Sequence, residues 1–176
     1  MILPTDCTVF QNAWVVPDLD TAMRHWVDVM KVGPFFVAEH KDSIVDVMHR
    51  GVAGALSMKV ALAQAGPVQI ELIEVLSEGP NCYRDIYAPG QGGFHHMCVW
   101  THDIDADTAY YAGKGIAAAT QGRLVGSIRF AYYDTFAALG GMIEVIERTP
   151  EVEAMFGAVR DASIDWDGAD PIRQFS

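Results

Sequence analysis

Short apolar runs, broken by Gly, Pro and Asp, recur along the chain in a repeating order. Residues Phe10 to Asp20 can be laid without a gap on His95 to Asp105. Each stretch is an apolar-rich strand candidate ending in Asp, an aliphatic residue and Asp: Asp18-Leu19-Asp20 in one, Asp103-Ile104-Asp105 in the other. The Asp after the strand suits a helix N-cap, where a carboxylate meets unpaired backbone N–H groups. Helical sequence follows in both places, over Thr21 to Met30 and Ala106 to Ala112. A second match pairs Val68 to Glu74 with Gly141 to Glu147, strands that carry a carboxylate among aliphatic residues. Further strand candidates lie between: Phe35 to Glu39, Ile44 to Met48 and Met58 to Ala63 in the first copy, Ile116 to Thr120 and Ser127 to Tyr133 in the second.

The chain is therefore expected to form one domain over residues 1–150, built from two copies of a strand–helix–strands unit at about 8–75 and 93–148. The stretch from Gly79-Pro80 to Pro89-Gly90 reads as the link between them. Residues 151–176 read as a polar C-terminal tail with a short helix over Glu151 to Arg160.

Side chains alternate across a strand, so parity predicts which groups share a face. Gln11, Ala13 and Val15 point one way, and Phe10, Asn12 and Trp14 the other. In the second copy His96 takes the place of Gln11, and His95 that of Phe10. Glu71 shares its face with Gln69 and Ile73, and Glu144 with Met142 and Ile146. If helices cover one face of each copy, Gln11, Glu71, His96 and Glu144 meet on the open face at equivalent positions. A Glu in mid-strand between aliphatic residues is costly to bury unless it is paired, protonated or bound to a cation. Two such Glu with a His and a Gln form a mixed N and O donor set for one divalent first-row ion (zinc, nickel, cobalt, manganese or iron), and the lack of thiolate argues against a structural zinc site.

Blander readings stand beside this one. His95-His96 would serve equally as strand-end polar residues, one exposed and one bonded to a carbonyl. Glu71 and Glu144 would fit the exposed face of amphipathic strands. Their shared placement in a repeat is what favours the ligand set. The Gly-rich Gly90-Gln91-Gly92-Gly93 precedes a strand rather than a helix, so it is not a phosphate loop. Cys98 has the parity of His96 and reads as a buried structural thiol.

Half of the residues are hydrophobic and a fifth charged, which is ample for a core. The net charge of −11 excludes a nucleic-acid partner and disfavours an anionic membrane surface. No apolar run approaches the ~20 residues of a spanning helix, and Met1 to Asp6 lacks the basic start of a signal peptide. Three cysteines, Cys7, Cys82 and Cys98, without CxxC spacing fit reduced thiols and a cytoplasmic location.

At these residues the chain resembles the vicinal oxygen chelate, or glyoxalase-like, superfamily. The resemblance rests on Gln11 through Asp20, on Gly33-Pro34-Phe35, on Gly92-Gly93-Phe94-His95-His96 with Asp103-Ile104-Asp105, and on Gly141-Met142-Ile143-Glu144. It implies an α+β fold in which two paired βαβββ modules form an open cupped barrel around one metal, completed within a chain or by exchange across a homodimer. It implies a metal-dependent isomerase, epimerase or lyase that stabilises an enolate next to a carbonyl, with Glu144 or Glu71 as the base. The expected partner is a small carbonyl or thioester substrate. The donor set is similar to that of glyoxalase I, whereas the motif wording is closer to methylmalonyl-CoA epimerase, whose relatives usually carry His where this chain has Gln11. Gln11 also weighs against an extradiol dioxygenase, which needs a second His on iron. Glu39 and His40 are further acid or base candidates. A metal-free small-molecule binding protein of the same fold is the alternative from another class.

Overall fold

In the computed structural model, residues 5–124 and 128–175 are described, with side chains from residue 8 onward. Met1 to Pro4, and Ser127 at the start of one expected strand, lie outside them. Eleven strands form one sheet in the order β11-β2-β5-β6-β1-β7-β10-β9-β8-β3-β4. The first copy of the repeat supplies β1 (Thr5–Val15), α1 (Leu19–His25), β2 (Phe35–His40), β3 (Ile44–His49), β4 (Val52–Ala53), β5 (Met58–Ala65) and β6 (Val68–Val75). After a short helix, α2 (Cys82–Ile86), the second copy supplies β7 (Gly93–Thr101), α3 (Ile104–Gly113), β8 (Ala118–Leu124), β9 (Arg129–Tyr133), α4 (Phe136–Leu139) and β10 (Met142–Glu147). The chain ends in α5 (Pro150–Ser163) and β11 (Ile172–Gln174).

The two Asp residues that close the repeated strands cap the two helices. Asp18 accepts from the Thr21 N–H at 2.7 Å, and Asp103 from the Ala106 N–H at 3.0 Å. Each cap satisfies one of the donors that a helix start leaves unpaired. The last turn of the first helix widens into a π-helical turn over Trp26–Met30 and stops at Lys31 in the left-handed region. Leu19 and Met23 then bury against Phe35, Ile70 and Leu72 on one side of the sheet. Ile104 packs with Val99, Tyr133 and Val145 under α3. The opposite side of the sheet carries the third core, with Ala13, Val15, Ile73, Cys98, Tyr132, Met142 and Ile146. That side is the inside of the cup.

Strand register is alike in the two halves. β1 runs parallel to β6 with Gln11 opposite Gln69 and Ala13 opposite Glu71. β7 runs parallel to β10 with His96 opposite Met142 and Cys98 opposite Glu144. These are the same pairs displaced by one repeat. β1 and β7 then pair with each other, antiparallel, so the halves join within one chain.

Among the register shifts of the sheet, one falls at the equivalent place in each copy. Between β1 and β7 the register steps from Val9–Val99 to Gln11–Cys98, and again from Ala13–His96 to Trp14–Phe94. Phe10 and His95 are the extra residues at these steps, a β-bulge in each strand at the same position of the repeat. A bulge leaves its extra residue out of the ladder and re-aims its side chain. Phe10 stacks on Trp100 at the inner core, and His95 packs on Tyr83 and Tyr132. The expectation that His95 and Phe10 face away from Gln11 and His96 is therefore wrong: both turn toward the inner side.

The sheet is not closed, yet the chain bridges its opening. β2 and β3 are consecutive but stand at opposite ends, β2 on β5 and β3 on β8. Residues 41–43 thus carry the chain across the mouth of the cup. The segment read as a polar tail also packs against the cup. α5 buries Val152 and Val159 and sets Phe156 against Phe10 and Trp100, and β11 adds to the sheet beside β2. Among the described residues no helix is long and apolar enough to cross a membrane.

Candidate metal centre

Four strands of the cup bring the polar groups together. Glu71 on β6, His96 on β7 and Glu144 on β10 place one ligand atom each within 4.8 Å of one another. The His96 Nε2 lies 3.3 Å from a Glu71 oxygen and 3.1 Å from a Glu144 oxygen. Ligands at ~2.1 Å from one ion, at angles between 90° and tetrahedral, stand ~3.0–3.4 Å apart. The imidazole nitrogen has that spacing from both carboxylates. Gln11, on β1, lines the same cavity as Glu71 and Glu144, and its amide nitrogen donates to Gln69 at 2.8 Å. That bond leaves the Gln11 oxygen as the atom available to a cation.

Hydrogen-bond accounting fixes the imidazole in a ligating form. His95 Nε2 lies 3.2 Å from the Cys82 carbonyl, which can only accept, so Nε2 carries the proton. The neutral His95 ring then has a bare Nδ1, 2.9 Å from His96 Nδ1. His96 must donate from Nδ1, so in the neutral ring, the form that binds a cation, the lone pair is on Nε2. That Nε2 is buried, has no hydrogen-bond partner and sits between the two carboxylates. A buried bare nitrogen facing two anions is unfavourable by itself and is what a cation requires. The residues fit a divalent ion.

Without a cation the same site satisfies itself with a proton. Burial works against charge on His96, but Glu144 and Glu71 outweigh it and raise its pKa to about 9. His95, buried and beside that cation, is pushed down to about 3. Burial raises Glu71 against the opposing pull of His96. Tyr132, in edge contact with His96, shares a hydrogen bond with Tyr83 at 2.9 Å, and burial lifts both phenols well above their ordinary range. Cys98 is fully buried beneath Glu144, and Cys82 is buried in α2; both are free thiols, as the sequence predicts.

The two weaker acid–base candidates separate. Glu39 faces away from the cavity and pairs with Lys41 at 2.9 Å. His40 lines the cavity, its Nδ1 2.7 Å from Ser43 Oγ, and burial lowers its pKa. What the sequence analysis missed is the lid: Met155, Phe156 and Phe175 complete the wall of a cavity of about 490 Å³. The signal was present as apolar residues in an otherwise polar tail.

Comparison with known proteins places the fold. No curated protein matches the chain in sequence. Among solved structures, methylmalonyl-CoA epimerase from Mycobacterium tuberculosis superposes with a TM-score of 0.54 at 20% identity, over 82% of this chain and 90% of that one. A Streptomyces coelicolor methylmalonyl-CoA epimerase in complex with 2-nitronate-propionyl-CoA gives 0.57 at 15%, over 81% and 95%. A hypothetical protein from Bacillus halodurans C-125 gives 0.55 at 18%, over 81% and 94%. At these identities the likeness is one of fold. The family profile of the glyoxalase/bleomycin resistance protein/dioxygenase superfamily matches residues 10–132, most of the chain, and the chain belongs to that superfamily.

Proposed function

We propose that the protein is a metal-dependent isomerase, epimerase or lyase acting on a small molecule next to a carbonyl or thioester. The observation that carries this reading is the buried Nε2 of His96 set between Glu71 and Glu144, two carboxylates that line a cavity. Gln11, Glu71, His96 and Glu144 would hold the ion, which would supply Lewis-acid polarisation of a carbonyl and stabilisation of the charge that develops beside it. Glu71 and Glu144 both line the cavity, and one of them accepts the α-proton and returns it to the same or the neighbouring carbon. The apolar walls exclude water from the carbanionic species during that transfer. The epimerase neighbours make a CoA thioester one candidate substrate.

Metal analysis of protein purified without chelator, combined with α-proton exchange in D₂O over a panel of carbonyl compounds and thioesters, tests the reading. Stoichiometric divalent metal with exchange that stops on chelation is expected. A metal-free protein that binds carbonyl compounds without exchanging their protons would instead be a binding member of the superfamily.

A further inference from the structure

The cavity has a marked polarity of its own. Gln11, Glu71 and Glu144 form one polar end, and His40 with Ser43 is the other polar pair in its lining. Along the strands these are separated: Glu71 pairs with Leu62, and His40 with Met58, four residues along β5 or ~13 Å. Between them the walls are aliphatic and aromatic, with Met58, Val60, Leu62, Phe130 and Ile146 among them. Among the described residues, no Lys or Arg lines this space. Lys59 is on the strand of the cavity but at the opposite parity, beside Glu74. The C-terminal segment, beyond the residues that the superfamily profile matches, adds Met155, Phe156 and Phe175 to the wall. This chain has therefore built an apolar closure over a cup whose interior offers an anionic group of a substrate no cationic side chain.

From this we infer that the substrate body held in the cavity is uncharged and largely apolar, an aromatic or aliphatic ketone of drug-like size. Its carbonyl sits at the Glu71–Glu144 end, and a neutral hydrogen-bonding group reaches His40 and Ser43. The inference rests on the proposed function for the direction in which the carbonyl points, and on the wall alone for the absence of charge. A carboxylate or phosphate against Leu62 and Phe130 would lose its hydration with no partner in return, a cost of a few kcal/mol or more. A cavity near 500 Å³ is within the range that encloses most of a drug-sized ligand.

The test compares two ligands with the protein as purified. 2-Acetylnaphthalene is neutral, and 6-acetyl-2-naphthoate carries a carboxylate remote from the ketone. The neutral ketone should bind at least about 30-fold more tightly, an interval of ~2 kcal/mol. Phe175→Arg, or Met155→Lys if that variant does not fold, should reduce the preference to within about threefold by giving the carboxylate a partner. Equal binding of the two ligands by the unaltered protein, or a folded variant that keeps the full preference, overturns the inference. Solvent exchange at the methyl ketone is recorded separately. Tight, selective binding without exchange would uphold the uncharged cavity and count against the enzymatic reading. Exchange confined to an anionic thioester that binds more tightly than the ketone would do the reverse.

Discussion

The two copies of the repeat share strand register, helix caps and even the site of a β-bulge, and differ in what that bulge carries. In the first copy the extra residue is Phe10, which stacks with Trp100 at 4.2 Å and lies against Phe156 of α5. In the second it is His95, bonded between the Cys82 carbonyl and His96. One geometric device thus serves packing in one half and proton placement in the other. The backbone arrangement is repeated and each copy gives two groups to the proposed metal site; only in the second are the imidazole and the group that sets its tautomer neighbours in sequence.

The largest effect expected on this asymmetry comes from His96→Ala. Removing the only nitrogen ligand leaves Glu71 and Glu144 facing each other in a buried site. Bound metal and α-proton exchange should disappear together, the latter by ~10³-fold or more. Metal analysis beside the D₂O assay decides it. Normal turnover by a metal-free variant would remove the cation from the mechanism.

Next in size is Glu144→Gln, which keeps an oxygen for the ion but no proton acceptor. Metal should be largely retained, while exchange falls ~10²–10⁴-fold. The equivalent Glu71→Gln probes the other half. Whichever substitution leaves exchange nearly intact marks the carboxylate that only ligates, and both doing so would turn attention to His40.

A smaller effect isolates the bulge. His95→Leu deletes the acceptor that holds the His96 Nδ1 proton, and metal affinity should drop ~10–100-fold, the usual range for a partner that orients a ligand. His95→Gln offers an amide oxygen to His96 and an amide N–H to the Cys82 carbonyl, and should restore most of that loss. A purely structural role for His95 would predict no such rescue, and titration with a chromophoric competitor chelator separates the two.

How far this site is legible in the sequence follows from the same comparison. The gapless match of 10–20 with 95–105, and of 68–74 with 141–147, carries strand pairing, caps and the approach of Glu71, His96 and Glu144, because parallel partners in equal register must bring equivalent positions together. Parity misplaced Phe10 and His95 because a bulge is a two-strand event: whether one residue is skipped depends on the partner strand, which a single stretch of sequence does not show. The crossing of β3 to β8 is equally non-local. The tail is a different case. Phe156 lies in a short apolar run, Ala154 to Val159, and Phe175 follows Arg173 and Gln174; only the presence of an inner cavity gives their rings somewhere to go.

The finest discrimination is by acid, in metal-free protein. His95 has a folded-state pKa depressed from 6.5 to about 3 by burial and by the His96 cation. A depressed pKa means that its contribution is complete above 6.5, and that the unfolded chain gains protons preferentially as the pH falls from there toward 3. By pH 5 this one group should cost ~2 kcal/mol of stability, a lowering of the melting temperature by several degrees in a chain of this size. His96 has the opposite sign. Its pKa is raised to about 9, so its contribution is complete below 6.5 and is lost as the pH rises through 9. The metal-free protein should therefore be most stable near neutrality and weaken on both sides. His95→Gln does not titrate, so its melting temperature should fall less between pH 7 and 5 than that of the unaltered protein, while the loss toward pH 9 persists in both. The difference between the two melting curves is the measurement, since other carboxylates titrate alike in each. Parallel curves through the acid range would mean that His95 takes up its proton without opening the fold, and the neutral His95 required to set the His96 tautomer would not hold there.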